Sequence, residues 1–344
     1  MKTDVDYIFG ETLPEPGTAM EVAPGIRWIR MPLPFALDHV NLFLLDDGED
    51  GWVLVDTGAA LKPTQDLWEL VLANELQGKP ISQIIVTHFH PDHVGNAGWL
   101  QERTGAPLWM SRTEWLSARV NRAEPPEQFQ QYAPDFYSRA GLSDLLVGEL
   151  RDLGNHFHSL VSPVPPIYRR ISEETALEIG GRTWVPILSG GHSPEHICLY
   201  CPDDNMVLGG DFLLPRISPN VSVWWNEPEG NPLADYIRFL QNLDYMDDDI
   251  LVLPSHDRPY RGLHERRADL IAHHHERFEL ALEVCAEPST AADVMYQMFK
   301  RQLDAHQSRF AIGEALAHLN YLVEDGQLDR SLDESGVWRY RAEA

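Results

Sequence analysis

Cysteine is scarce, basic residues are few, and no long apolar run occurs in this chain of 344 residues. Three cysteines (Cys198, Cys201 and Cys285) cannot build a disulfide framework, so a disulfide-stapled scaffold is excluded and a reducing cytoplasm is the expected compartment. No stretch approaches the roughly 20 apolar residues that a membrane span needs. Residues 1–17 lack the apolar centre of a secretory signal. Lys and Arg number 27 against 53 Asp and Glu, a net charge of −26. A field of that sign repels polyanions, so generic binding to nucleic acid or to an anionic membrane is disfavoured. What is present is a globular composition with 43% apolar residues, long enough for one large domain and a small one.

Residues 25–56 alternate in the manner of strands, and an amphipathic helix is expected from Pro63 to about Leu76. The apolar run ISQIIVT (81–87) enters a loop, and VGNAGWLQERTG (94–105) reads as a helix stopped by glycine. This alternation predicts an α/β layer. Residues 112–172 hold helix-like pieces, many aromatics and a proline cluster, and are expected to form a helical insert over the site. A β meander follows from Leu177. Residues 265–344 read as helices and a hairpin, the pattern of a winged helix-turn-helix, which places the domain boundary at 264.

The sharpest chemical signal is His88-Phe89-His90-Pro91-Asp92-His93, on the loop after an apolar strand. Three imidazoles and a carboxylate in six residues need partners or a cation. His88 and His90 can converge on one ion, while Asp92 and His93, at the turn into a helix, can face a second. His192 on the glycine-flexed GGHSPEH loop, Asp211 at the end of LGGD and His256 at the end of LPSH add three further ligands. Each alone is an ordinary turn residue. Together they are the donor types that two borderline cations take, and Asp211 has two oxygens with which to bridge them.

In element order and in the pattern HxHxDH…GH…GD…PxH, residues 20–262 resemble the metallo-β-lactamase superfamily. The resemblance implies an αββα sandwich. It implies His88, His90 and His192 on one metal, Asp92, His93 and His256 on the other, and Asp211 bridging. Asp56, in VDTG, would orient a histidine ligand. The C-terminal piece is similar to the winged-helix extension of one branch, which includes a β-lactamase-like endoribonuclease and bacterial metallohydrolases. Two divalent ions are expected, zinc first, with iron or manganese also compatible. A hydroxide between them would attack the substrate, with Asp92 and His256 taking part in catalysis and Asp92 relaying the proton. Two departures from the family pattern, Glu195 and Asp257, are expected to bring acidic groups close to the ligands.

Other signals are given structural readings. Cys198 and Cys201 lie three apart on a strand, on opposite faces, as buried thiols. His273, His274 and His275 read as a solvated helix face. His39 is expected to line the mouth of the site, and Phe136, Tyr137 and His158 of the insert to contact substrate. The favoured function is hydrolysis of a small-molecule ester, thioester or lactone. The alternatives are an endoribonuclease and a metal-domain sensor with a DNA-binding winged helix. Residues 264–344 carry nine basic against fifteen acidic residues, and IGEALAHLNYLVEDG (312–326) has no Lys or Arg. That domain is therefore expected to pack against the catalytic domain or a second copy in a homodimer, without binding nucleic acid.

Overall fold

The structure is a computed structural model, and it describes residues 5–35 and 37–343. Two sheets face each other. The first has seven strands in sequence order: β1 (Met20–Ala23), β2 (Ile26–Pro32), β3 (His39–Asp46), β4 (Trp52–Val55), β5 (Ile81–Ile85), β6 (Leu108–Met110) and β7 (Arg169–Arg170). It is antiparallel through β4 and parallel from β4 onward. The second runs in the order β12 (Leu251–Pro254), β11 (Met206–Gly210), β10 (His196–Cys201), β9 (Arg182–Ser189) and β8 (Leu177–Ile179), with only β11 and β12 parallel.

Strand periodicity explains the layering. On β3, Val40, Leu42 and Leu44 turn outward to α1 (Lys62–Asn74) and α3 (Ala97–Thr104), while Phe43 and Leu45 turn inward to the second sheet. On β10, Ile197, Leu199 and Cys201 enter the inter-sheet core, whereas Cys198 enters the core on the opposite face. The two thiols are thus on opposite faces, both free and buried. Short α2 (Pro91–Val94) starts on Pro91, whose ring presets the first helical φ. The helices outside both sheets complete the α/β/β/α order that the strand–helix alternation predicts.

Residues 112–172 form α4 (Arg112–Ala123), α5 (Pro126–Arg139), α6 (Asp144–Leu153) and α7 (Phe157–Leu160). On α5 the buried stripe Phe129, Ala133, Phe136 and Tyr137 faces protein, not a mouth. Phe136 packs edge-on against Trp338 of the C-terminal hairpin, with ring centroids 5.9 Å apart. The expectation that Phe136 and Tyr137 contact substrate is therefore corrected: an aromatic stripe at helical spacing is here a core. His158 is exposed on α7.

After α8 (Pro232–Gln241) come α9 (Leu263–Val284), α10 (Ala291–Met298), α11 (Ala305–Glu324) and the hairpin β13 (Leu328–Leu332) and β14 (Trp338–Ala342). Thr290 and Asp304 close capping boxes that start α10 and α11. Leu316, Leu319 and Leu322 of α11 share one continuous core with Val207 of β11, Leu240 of α8 and Leu150 of α6. The middle of the three consecutive histidines is also inside. His274 is buried and meets His318 of α11 at 3.1 Å, so the solvated-face reading fails for it. Among the described residues, no helix is long and apolar enough to cross a membrane.

Candidate metal centre

The ligand-bearing residues meet at one end of the sandwich, on the loops that leave β5, β9, β11 and β12. Their hydrogen bonds fix which nitrogen of each ring carries the proton. Nδ1 of His192 donates to the carbonyl of Asn220 at 2.7 Å, and Nδ1 of His256 to the carbonyl of His39 at 2.7 Å. Nδ1 of His93 donates to Asp56 Oδ2 at 2.9 Å. Thr87 Oγ1 gives its proton to Asp56 and so accepts from Nδ1 of His88 at 3.0 Å. Each of these rings therefore points its Nε2 inward.

In the first set these nitrogens crowd together. His88 Nε2 lies 3.0 Å from His90 Nδ1, which lies 2.9 Å from His192 Nε2. Burial, with the neighbouring rings, holds His88 well below the ordinary imidazole pKa and His90 down to about 3, so neither carries the charge that would relieve the contact. A neutral His90 has a single ring proton and can satisfy at most one of these two contacts. A nitrogen pair is thus left lone pair to lone pair, and a cation held between the three rings relieves it. A second set adjoins it. Asp92 Oδ2 is 3.4 Å from His93 Nε2 and 3.5 Å from His256 Nε2. Asp211 joins the sets, with Oδ2 3.2 Å from His192 Nε2 and Oδ1 3.4 and 3.3 Å from Nε2 of His93 and His256. His93 Nε2 and Asp211 Oδ1 are buried without a hydrogen-bond partner, as atoms reserved for an ion would be.

Charge differs between the sets. Burial opposes a charge on His93, yet Asp92, Asp211 and Asp56 outweigh it and hold its pKa well above the ordinary value. Burial alone would raise Asp92, but His93 and His256 hold it at about 2. The acidic set therefore attracts positive charge even without metal, and a bound ion would displace protons from it.

The backbone beneath is built for this. Asp56 directly follows β4 with φ 62°, a left-handed conformation that aspartate tolerates better than most non-glycine residues. Its carboxylate accepts from Thr87 N at 2.8 Å as well as from His93. Thr57 N and Oγ1 both donate to the carbonyl of His93, at 2.9 and 2.6 Å. Gly210, with φ 54°, lets His196 approach so closely that a Cβ there would lie 2.3 Å from its ring.

The remaining expected residues are placed as follows. His39 is buried, accepts from Asp257 N on Nε2 at 2.7 Å, and holds His256 through its carbonyl. Its carbonyl braces His256, and its ring braces the backbone just after that ligand. Glu195 and Asp257 do not face the ligands. Glu195 Oε2 accepts from Thr113 N at 2.6 Å, and Asp257 Oδ2 accepts from Tyr7 and faces Arg216. Three contributors went unread in the sequence. His196 stacks on Phe212 at 4.2 Å and accepts from Asp211 N. Asn220 acts through its carbonyl, and Glu114 lies buried beside the centre. His196 shares the GGHSPEH motif with His192, a signal that was available. Glu114 resembles any acidic residue in the first turn of a helix.

Residues 36–256 match the family described as the metallo-β-lactamase superfamily. The chain belongs to that superfamily. A second match, to the metallo-β-lactamase-like C-terminal domain, covers residues 278–343. The probable metallo-hydrolase YqjP of Bacillus subtilis is 26% identical over 86% of the chain and 91% of that relative. Among solved structures, a β-lactamase domain protein from Burkholderia ambifaria is 45% identical, covers 98% of both chains and superposes with a TM-score of 0.93. A metallo-β-lactamase family protein from Thermus thermophilus is 29% identical over 94% of this chain and 100% of that one, with a TM-score of 0.78. The metallo-β-lactamase fold carries a His/Asp cluster able to hold metal, and the chain is a metallo-hydrolase.

Proposed function

We propose that this metallo-hydrolase cleaves a carboxylic ester, thioester or lactone of a small molecule, using two divalent ions, zinc by preference. His88, His90 and His192 would hold one ion, and Asp92, His93 and His256 the other, with Asp211 between them. When bound, such ions supply an acidified water and an electrophilic centre for the substrate oxygen. The Asp92 carboxylate would accept the proton from the attacking water and pass it to the leaving group. Asp56 and the carbonyls of His39 and Asn220 hold the imidazoles still throughout.

The substrate class rests on an aromatic rim assembled from three segments. Exposed Phe35 stacks on His306 of α11 at 6.4 Å, His306 meets Phe310 at 5.1 Å, and Phe310 meets Trp224 at 5.7 Å. Phe35 shortly precedes His39, the strut of His256, and Trp224 shortly follows Asn220, the strut of His192. An apolar cluster of this kind suits an acyl group better than a phosphodiester backbone. The acidic surface and the use of Leu316, Leu319 and Leu322 in packing also favour this reading over an endoribonuclease or a DNA-bound sensor.

Steady-state hydrolysis by metal-analysed protein across thioesters, lactones, β-lactams, phosphodiesters and RNA tests the proposal. Turnover confined to carboxylic substrates is expected. Metal-dependent cleavage of RNA would replace it with the endoribonuclease reading.

A further inference from the structure

Glu114 sits in the first turn of α4, fully buried, and no lysine or arginine lies within ion-pair distance of it among the described residues. Its oxygens do not serve the N–H groups of its own helix. Oε2 accepts from Phe89 N at 2.8 Å, while Oε1 accepts from Ser193 Oγ at 2.8 Å and Glu195 N at 2.6 Å. Phe89 stands between His88 and His90, and Ser193 follows His192. One carboxylate thus ties together the two loops whose three imidazoles converge at 2.9–3.0 Å. The same loop is returned to α4 by Ser111 Oγ donating to the Glu195 carbonyl at 2.8 Å and Thr113 N donating to the Glu195 carboxylate.

We infer that Glu114 is a positioning residue, locking the His88–His90 loop to the His192 loop and so setting the geometry of that one metal position. The inference rests on the ligand sets proposed above. Both oxygens of the Glu114 side chain accept, from three donors in all, whereas an amide would turn an NH2 group against at least one of them. The other ligand set is held from elsewhere, His93 by Asp56 and His256 by His39. Losing Glu114 therefore acts unequally. Burial without a cationic partner makes the carboxylate costly, which a mere surface charge on a helix would not be.

Chelator-stripped wild type, Glu114→Gln and Ser193→Ala are titrated with Zn2+ against a chromophoric chelator, with no substrate present. The wild type is expected to show two binding steps. Glu114→Gln is expected to weaken one of them by roughly 10–100-fold, the usual effect of removing a group that orients ligands, and to leave the other unchanged. Ser193→Ala, which removes one of three hydrogen bonds, should weaken the same step by less, and it carries the test alone if Glu114→Gln does not fold. Equal weakening of both steps, as a general loss of stability would give, or no change in either, overturns the inference. Failure of the wild type to bind a second ion would instead overturn the ligand sets on which it rests.

Discussion

Asp211 offers one oxygen to His192 and the other to His93 and His256, all within 3.2–3.4 Å, while its backbone N–H is received by His196. A carboxylate so placed would offset part of the charge of two neighbouring cations at once. Two unit charges 4 Å apart repel by about 4 kcal/mol at an effective dielectric of about 20, and two divalent ions by about four times as much. Asp211→Ala is accordingly expected to lower occupancy of both positions, by more than about tenfold in affinity, and not of one alone. Elemental analysis after dialysis at fixed free zinc reads this directly, and full occupancy with full activity would remove Asp211 from the bridging position. Much of this residue chemistry was legible. HxHxDH packs four donors into one loop, and a strand-end histidine or aspartate becomes informative when several must meet. Glu114 and Asn220 were not legible, since one acts through a fold-dependent reach between loops and the other through a main-chain carbonyl that any residue could supply.

At the scale of elements, periodicity separated right readings from wrong ones. Cys198 and Cys201 could be assigned to opposite faces because a strand alternates. Phe136 and Tyr137 were misread because an aromatic-rich insert suggests a mouth, whereas α5 spends that stripe on the core shared with Trp338. Three consecutive histidines on α9 cannot all be solvated when one face of the helix is packed, since successive residues turn by about 100°. The ring of His318 donates from Nδ1 to the Glu314 carbonyl at 2.8 Å and presents Nε2 to Nδ1 of His274 at 3.1 Å. This chain of donors requires the His318 ring to be neutral, and burial keeps His274 neutral beside it. Burial pushes His318 down to about 4, and burial with His318 beside it holds His274 well below the ordinary value. Below the ordinary imidazole value of about 6.5, the unfolded chain therefore binds protons that the folded chain refuses. Their contribution to stability is complete above that value and is lost as pH falls toward 4. Each histidine costs up to roughly 1 kcal/mol per pH unit in that window. Urea unfolding at pH 7, 6 and 5 should show a shallower loss of stability in His318→Gln than in wild type, and equal slopes would contradict the neutral pair.

Across the whole molecule, the C-terminal helices behave as part of the enzyme's body. Their leucines lie in the core that holds β11 and α8, and Val223 N, close behind the Asn220 strut, bonds the carbonyl of Gly313 on α11 at 3.0 Å. The net-acidic composition of residues 264–344 led to the expectation that they pack against the catalytic domain or a second copy, and the shared core realises the first. The extent of the shared core was not foreshadowed, because contacts between segments a hundred residues apart leave no local periodicity. The central claim, that a pair of ions held by His88, His90, Asp92, His93, His192, Asp211 and His256 makes this chain a hydrolase, is tested most directly by restoring chelator-stripped protein with Zn2+ and following ester or thioester turnover against bound metal. Activity is predicted to be absent from the stripped protein and to saturate as occupancy reaches about two equivalents per chain. Turnover that persists without metal, or that is complete at a single equivalent with the second position empty, would contradict the account.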